Sequence, residues 1–307
     1  HKLSSCWPAR GESPTIAPEG QSSMSKASVI EFACLVSLAA LVACDITRSD
    51  AASPEAFGSV PGSGSSAVPS ITQPLAVASS PSPVASSSAC PSEMVLVEGQ
   101  HCPKADQSCV NWMEDPAKFP YARCAEFSKP SICKGERVSM RFCIDRLEQS
   151  DQSGIPIGDI SWTGASEACK FQGKRLCQEQ EWLFACEGEA MSPYPYGYVR
   201  DSEICNFEIK DNLVTNAGEL ADHRQVASSN PRCVSPFGVQ NMVGNIDEWV
   251  VLDKAHYSQK NGGRRMMSGL KGGWWGPLRN RCRPTTVDHD ELFHELQTGF
   301  RCCSDAK

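Results

Sequence analysis

One group of side chains in the last third of the chain has the residue types for chemistry. Asp288, His289, Asp290, Glu291 and His294 combine carboxylates with imidazoles, which serve as metal ligands and as general acids and bases. The two histidines lie five positions apart and therefore do not share a helix face. We expect a solvated acidic loop here, with a metal or catalytic cluster as the weaker alternative.

Three arginines nearby, Arg281, Arg283 and Arg301, have the chemistry to bind an acidic ligand, because a guanidinium presents a planar fork of donors to a carboxylate. For Arg301 we expect a buried ion pair that orders the C-terminus. The sequence contains no Ser-His-Asp spacing, P-loop or dinucleotide-binding fingerprint. A formal net charge of −7, without a basic stripe, argues against nucleic-acid binding.

Cysteine is unusually frequent, with 17 residues in the chain, of which 14 lie from Cys90 to Cys303. A dense and even set is typical of disulfides in an exported domain. Zinc binding is the alternative, but C-x2-C pairs and clustered Cys/His ligand spacing are absent from the sequence. Cysteine spacing alone leaves the pairing open.

An export signal is predicted to begin at Met24. An apolar stretch, residues 32–43, ends in the string LVAC at Cys44, which fits a bacterial lipobox, and the stretch is too short to span a membrane as a helix. We interpret residues 24–43 as a lipoprotein signal peptide and Cys44 as the lipidated residue. The protein is then anchored to the bacterial cell envelope, facing the periplasm or the cell surface. Residues 1–23 are interpreted as a doubtful extension.

The rest of the chain divides into a tether and a domain. Residues 44–89 are rich in Ser, Pro and Ala and hold almost no large apolar side chains, so they cannot bury enough surface to fold. Residues 90–307 are long enough for one domain. The cysteine-rich insert, residues 102–133, is expected to consist of loops held by disulfides.

Periodicity predicts two strands and two helices within the domain. Residues 94–99 and 138–148 are typical of strands. Residues 160–176 contain a helical pattern that Gly173 ends, and a second helix is predicted over residues 178–186. The remainder is expected to be loop-rich with short strands, which gives an α+β, loop-rich, disulfide-bonded fold.

Four strings occur in a fixed order: GKRLCQEQEW from Gly173, NMVGNIDEW from Asn241, KGGWW from Lys271 and GFRCC from Gly299. In this order they resemble the signature of the formylglycine-generating enzyme, or sulfatase-modifying factor, family. A single match would be weak, whereas four in sequence are specific. The resemblance covers about residues 140–303. It implies a C-type-lectin-like core with little regular secondary structure.

The resemblance also implies a structural calcium site. The positions that match the family's ligands are Asn241 and Glu248, through their side chains, and Gly244 and Ile246, through their backbone carbonyls. Calcium prefers several oxygen ligands, and a tight glycine-containing loop can turn its carbonyls inward. The alternative is a purely structural turn.

A second and weaker calcium site is implied at Asn206 and Phe207, by side chain and carbonyl respectively. Its remaining ligands, near Asp222, do not align clearly with the family's pattern. Calcium is therefore expected as a structural ion, mainly at the first site.

The family's enzymes bind copper(I) through two cysteines, five positions apart, after the GG pair; soft thiolates suit this ion. Here the second position is Cys282 but the first is Pro277. One thiolate cannot build that site, so copper is not expected. Trp274 stands where the family usually has Ser, and we expect Trp274 and Trp275 to be core or groove-lining aromatic residues.

By the same resemblance, a disulfide is expected between Cys169 and Cys302. The family also pairs the position of Cys186 with one that is Val287 here, so Cys186 needs another partner. The nearest candidates are Cys282, Cys177, Cys205 and Cys303. A disulfide-bonded Cys282 would not be a nucleophile.

Taken together, these features favour an exported lipoprotein that lacks formylglycine-generating activity and binds an envelope protein or a glycan. One alternative is an oxygen-dependent oxidase that converts a peptide cysteine to formylglycine, or carries out related sulfur oxidation, with Cys282 as its sole thiolate. Another is a structural envelope protein without a small ligand. An enzyme needs a reduced thiol or a redox metal in its cleft, whereas a binding protein needs an open groove.

Overall fold

The structure, a computed structural model, describes residues 89–259 and 262–307. The predicted signal peptide, the lipidation site Cys44 and nearly all of the tether lie outside the described residues. Within the described part of the chain, no helix is both long enough and apolar enough to cross a membrane.

The described residues form short strands, one long hairpin and two helices. The strands are β1 (Met94–His101), β2 (Ala105–Asp106), β3 (Cys109–Trp112), β4 (Cys124–Phe127), β5 (Ile132–Cys133), β6 (Val138–Asp145), β7 (Arg175–Leu176), β8 (Asp247–Ser258), β9 (Arg264–Lys271), β10 (Thr285–Thr286), β11 (Thr298–Gly299) and β12 (Cys302–Asp305). The helices are α1 (Trp162–Phe171) and α2 (Glu179–Glu187).

The first four-stranded sheet has the order β1-β6-β12-β7 and is antiparallel throughout. Val97 lies opposite Phe142, and both side chains are buried in the same core cluster because they share one face of the sheet. The last strand, β12, pairs with β6 on one side and β7 on the other. The C-terminus is therefore built into the sheet.

The second four-stranded sheet has the order β10-β9-β8-β11. Strands β8 and β9 form a hairpin in which Trp249 lies opposite Leu270, and the register shifts between Val251 and His256. The expectation of only short strands is wrong here, since β8 has 12 residues and β9 has 8. The irregular register breaks the alternation of buried and exposed residues, which hid the strands in the sequence.

Both predicted helices are confirmed. Helix α1 begins after Ser161, whose Oγ accepts a hydrogen bond from the Gly164 N–H at 3.1 Å, and it is followed by Gly173 at φ 70°. Helix α2 begins at a capping box in which the Gln178 N–H donates to Glu181 at 2.8 Å. The buried face of α1 packs into one core cluster and α2 into the other.

The cysteine-rich insert contains two short strand pairs, β2 with β5 and β3 with β4, so the expectation of loops alone is corrected. Disulfides Cys102–Cys133 and Cys109–Cys124 lie beside these pairs. Strands of two to four residues are too short to show a period in the sequence.

All cysteines of the described residues are paired. Besides the two in the insert, the disulfides are Cys90–Cys143, Cys169–Cys302, Cys177–Cys303, Cys186–Cys282 and Cys205–Cys233. Cys169–Cys302 is the pair that the resemblance implies; it joins α1 to β12 across 133 residues and so constrains the unfolded chain strongly. The fold is α+β, loop-rich and disulfide-rich, as predicted, and its disulfides fit an extracytoplasmic protein.

Candidate functional site

The segment after β9 folds back on itself because of its two glycines. Gly273 has φ 71°, and a Cβ atom there would lie 2.8 Å from the Leu278 carbonyl oxygen. The Asn280 Nδ2 donates to the Trp274 carbonyl oxygen at 2.6 Å, and the Gly273 N–H donates to Asp247 Oδ1 at 2.9 Å. These bonds fix a tight loop with Leu278 exposed near its tip.

Cys282 follows this loop and is fully buried in a disulfide with Cys186 of α2. The Cys282 N–H donates to the Pro193 carbonyl oxygen at 2.9 Å. Of the four candidate partners for Cys186, the structure selects Cys282. A disulfide sulfur has no thiolate form, so neither nucleophilic attack nor copper(I) binding is open to Cys282 in this state.

Pro277 occupies the other position that the resemblance assigns to a copper ligand. Its ring has no donor or soft ligand atom, and its carbonyl oxygen accepts from Arg200 Nη2 at 3.0 Å. Trp275 is fully buried and contacts Trp274 edge-on, with ring centroids 5.4 Å apart. Trp275 is thus a core residue, and neither tryptophan is among the residues that line the groove beside this loop.

That groove, of about 360 Å³, lies between the cysteine-rich insert and residues 279–288. The insert contributes Trp112, Phe119 and Tyr121, which are between 45% and 66% exposed. A second pocket, of about 410 Å³, shares Phe119 and Tyr121 with the groove and is completed by Leu278. The two cavities thus form one continuous surface.

Two of the arginines that line the groove are neutralised by glutamates. Arg123 forms ion pairs with Glu114 and Glu208, and Arg200 Nε donates to Glu208 at 2.7 Å. These pairs hold the insert against the 200–208 segment, and Glu208 also pairs with Lys210 at 3.2 Å.

Arg279 and Arg281 have no such compensation. Among the described residues, no carboxylate lies within 4.0 Å of either guanidinium to form an ion pair. The Arg281 guanidinium lies 5.5 Å from the Phe127 ring centroid, and burial lowers the pKa of Arg281 below its usual value. The Arg279 Nε is buried without a hydrogen-bond partner. The Arg279 charge also acts at longer range on Asp247: it lowers the pKa of that carboxyl, which burial raises.

Of the arginines named from sequence, Arg283 points elsewhere. Its Nη2 donates to the fully buried Glu187 at 2.6 Å. Burial raises the pKa of Glu187 to about 7, against the opposing effect of the Arg283 charge. Arg283 is therefore committed to a structural pair, whereas Arg281 lies in the groove.

Sequence reasoning missed Arg123, Arg200 and Arg279 as groove residues. For Arg279, the available signal was the run RNRCR, residues 279–283. This run contains three arginines, which is more than one buried ion pair requires. The position of the insert against this run depends on tertiary contacts that no local pattern encodes.

The acidic segment from Asp288 to His294 does not converge on one point. The His294 Nδ1 lies 2.8 Å from Asp159 Oδ1, His289 stacks on Phe293, and Glu291 pairs with Arg264. In the ranges that the structure describes, no group of three or more His, Cys, Asp or Glu side chains is placed to hold a metal ion.

At the first calcium position, the structure gives two opposing observations. The Oδ1 of Asn241 is buried without a hydrogen-bond partner, which suits a cation. Glu248, however, accepts from Arg301 Nε and Nη2, both at 2.6 Å, and from Trp182 Nε1 at 2.7 Å. The only carboxylate of the implied ligand set is thus already neutralised.

The two carbonyl positions lie in a tight turn, where the Ile246 N–H donates to the Gly244 carbonyl oxygen at 2.7 Å. A Cβ on Gly244 would lie 2.4 Å from the Asn206 carbonyl oxygen, so this turn requires glycine. As they lie, these residues do not fit calcium, because the Glu248 carboxylate is already paired with Arg301. The calcium site stays a prediction.

The second implied site has the same difficulty. The Asn206 Nδ2 donates to the His223 carbonyl oxygen at 2.8 Å, so the Asp222 segment does lie beside Asn206. The Asp222 carboxylate accepts from Arg224 Nε and Nη2 at 2.9 and 2.6 Å. Phe207 is buried beneath the Arg200 guanidinium. The site's carboxylate is therefore paired with an arginine.

The glycine-dependent loop, the buried Arg301–Glu248 pair and the C-terminal strand built into the first sheet all belong to one α+β, disulfide-rich domain. The family described as "Sulfatase-modifying factor enzyme 1-like domain" matches residues 120–306. That match covers more than half of the chain, and the chain belongs to this family.

Individual relatives are distant. Inactive C-alpha-formylglycine-generating enzyme 2 of Bos taurus is 29% identical over 161 residues, which cover 50% of this chain and 51% of that protein. Serine/threonine-protein kinase pkn1 of Chlamydia caviae is 26% identical over 165 residues, covering 50% of this chain and 24% of the kinase. The crystal structure of CarF has a TM-score of 0.47 and 16% identity, covering 71% of this chain and 99% of that one. The chain therefore spans about half of the first curated relative and about a quarter of the second.

Proposed function

We propose that this protein is a lipid-anchored binding protein of the bacterial cell envelope that recognises a partner through the groove and does not oxidise a peptide cysteine. The observation that carries the proposal is the buried Cys186–Cys282 disulfide. An oxidase of this family type needs Cys282 as a thiolate, and the disulfide removes that group.

Position 277 supports the same conclusion independently. Reduction of the disulfide would release Cys282, but Pro277 would still supply no second thiolate, and its carbonyl is engaged by Arg200. One relative, from Bos taurus, is itself named as an inactive formylglycine-generating enzyme. Loss of the chemistry with retention of the fold thus has a parallel within the family.

Binding is favoured over a purely structural role by the groove itself. Exposed aromatic side chains and guanidiniums without an ion-pair partner lie together on one concave surface, and such a combination is typical of binding sites. The surrounding loops are held by disulfides, which gives a rigid frame for recognition. The envelope location is supported by the lipobox at Cys44 and by the disulfides.

The proposal is tested with mature protein purified from its native envelope without reductant. The protein is incubated with copper(I), oxygen, a sulfatase-type peptide and ascorbate, which supplies the two further electrons without acting as a thiol, and formylglycine is sought by mass spectrometry. We expect no product and no tight copper(I) binding. Formation of formylglycine by the wild-type protein would overturn the proposal in favour of the oxidase alternative.

A matched pair of variants separates the two obstacles. Cys186→Ser frees one thiol at Cys282 and should bind copper(I) weakly, whereas Cys186→Ser with Pro277→Cys supplies two thiols and should bind it far more tightly. Equal copper affinity in the two variants would show that position 277 is not where the missing ligand belongs.

A further inference from the structure

We propose that the groove binds an acidic peptide segment, with a carboxylate held between Arg279 and Arg281 and a neighbouring apolar side chain seated in the adjoining pocket. The inference rests on the proposed binding function and adds the chemical class of the ligand.

The charge balance of the groove calls for an anion. Glu114 and Glu208 neutralise Arg123 and Arg200, but two further guanidiniums remain in the described walls without a carboxylate in ion-pair distance. A partly buried charge without a partner costs free energy, and an incoming carboxylate recovers it. Asp288 lies on the same wall, where its carboxylate faces His256 at 4.0 Å.

The geometry favours a planar anion. The Arg281 guanidinium lies 5.5 Å from the Phe127 ring centroid, and a guanidinium presents a planar fork of donors that matches a carboxylate. Arg279 lines the same groove, and its Nε is buried without an acceptor, so no hydrogen bond from that nitrogen offsets the charge of the guanidinium. A carboxylate has two oxygens in one plane and can accept from both arginines.

The adjoining pocket favours a peptide over a glycan. Its exposed walls are mainly apolar and come from Phe119, Pro120, Tyr121, Pro277 and Leu278, with the charged residues Glu114, Arg123 and Lys210 also in the lining. The pocket is continuous with the cationic groove because the two share Phe119, Pro120, Tyr121 and Arg123. A sugar acid would place hydroxyl groups against these walls without hydrogen-bond partners. A peptide can place an apolar side chain there a few residues from its carboxylate.

The test uses the oxidised, full-length mature protein and fluorescein-labelled peptides built on a Gly/Ser background. Each carries one Glu and one Leu at a series of separations, and matched peptides replace Glu by Gln or Leu by Ala. Fluorescence polarisation gives the affinities. We expect at least one Glu/Leu peptide to bind, and its Gln counterpart to bind about tenfold more weakly because a charge-assisted pair is lost. Binding should also weaken with added salt.

Variants assign the interaction to the groove. Arg281→Gln and Arg279→Gln should each weaken binding of the Glu peptide about tenfold and leave the Gln peptide unchanged. Arg232→Gln is the matched control, since Arg232 is exposed and donates only to the Glu203 carbonyl oxygen. Thermal unfolding of each variant verifies that it is folded.

Three results would overturn the inference: no peptide binds, Glu and Gln peptides bind equally, or Arg232→Gln has the same effect as the groove variants. Polygalacturonate serves as a probe for the glycan class. If it binds and no peptide does, the peptide assignment fails while the proposed binding function stands. Formylglycine production in the copper assay is a separate readout, so failure of the proposed function is recognised independently.

Discussion

Arg301 and Glu248 form a buried, bidentate ion pair that joins the two main sheets. Arg301 Nε and Nη2 donate to the two carboxylate oxygens at 2.6 Å each, and both side chains are at most 1% exposed. Arg301 Nη1 also donates to the carbonyl oxygen of Asp145 in β6, whereas Glu248 belongs to β8. The pair therefore connects the first sheet to the second and closes the C-terminal end of the fold.

Breaking this pair should be strongly destabilising. Arg301→Gln leaves the Glu248 carboxylate buried without a counter-ion, and we expect a loss of about 3–5 kcal/mol in the free energy of unfolding. The double variant Arg301→Met with Glu248→Met, which removes both charges of the pair, should lose markedly less. Urea unfolding with disulfides intact measures both. A loss under about 1 kcal/mol for Arg301→Gln, the range of an exposed pair, would contradict the structure.

Asp247 should make the domain less stable as the pH rises. Burial raises the pKa of Asp247 from its usual value to about 7, although the Arg279 charge opposes the rise. Because the folded pKa is above the unfolded one, the stabilising contribution is complete below about pH 4 and is lost between about pH 4 and 7. Each pKa unit corresponds to about 1.4 kcal/mol.

Asp247→Asn isolates this effect, since it stays neutral and keeps an Oδ1 acceptor for the Gly273 N–H. The difference in free energy of unfolding between variant and wild type should shift in favour of the variant as the pH rises from about 4 to about 7. Burial also raises the pKa of Glu187 to about 7. Because Glu187 is present in both the variant and the wild type, its contribution to the pH dependence cancels in the difference. A difference that is independent of pH would refute the assignment.

Calcium should have little effect on stability. Glu248 and Asp222, the carboxylates at the two implied sites, are each bound by an arginine. We therefore expect the melting temperature in calcium and in chelator to differ by less than about 2 °C, which is below about 1 kcal/mol for a domain of this size. A larger rise that Asn241→Ala removes would establish the first site after all, and one that Asp222→Asn removes would establish the second.

Cys44 should determine whether the protein partitions with membranes. Cys44→Ala removes the acceptor of the lipid and should shift the protein from the membrane fraction to the released fraction of the envelope. Cys34→Ala is the matched control, because it makes the same substitution within the predicted signal peptide at a cysteine that is not expected to carry lipid. Equal membrane association of both variants would rule out the lipid anchor.

Much of the frame could be predicted from sequence. The spacing of Ala165 and Cys169 identified α1, and its end at Gly173 followed from glycine's preference for positive φ. The four family strings lie at the structural centre of the fold, where Arg301 and Glu248 meet and Gly273 turns, so their residues are constrained by packing. Because packing constrains these residues, the four strings keep the family's pattern and can be recognised in the sequence.

The groove could not be predicted in the same way. Phe119 and Arg281 are far apart in sequence and line one cavity only because the insert folds onto the loop after Gly273. Likewise, Cys186 had four candidate partners, and only the placement of α2 beside the loop selects Cys282. The choice between core and groove for Trp275 stayed open for the same reason, since residue type alone does not separate a core indole from a groove indole.

The most direct test of the account is non-reducing peptide mass mapping of the mature protein from its native envelope. Free thiols are alkylated before proteolysis, and linked peptides are identified before and after reduction. We expect one linked pair that contains Cys186 and Cys282, with no alkylated Cys282. Alkylated Cys282, above all with copper co-purifying, would contradict the proposed function and favour the oxidase alternative.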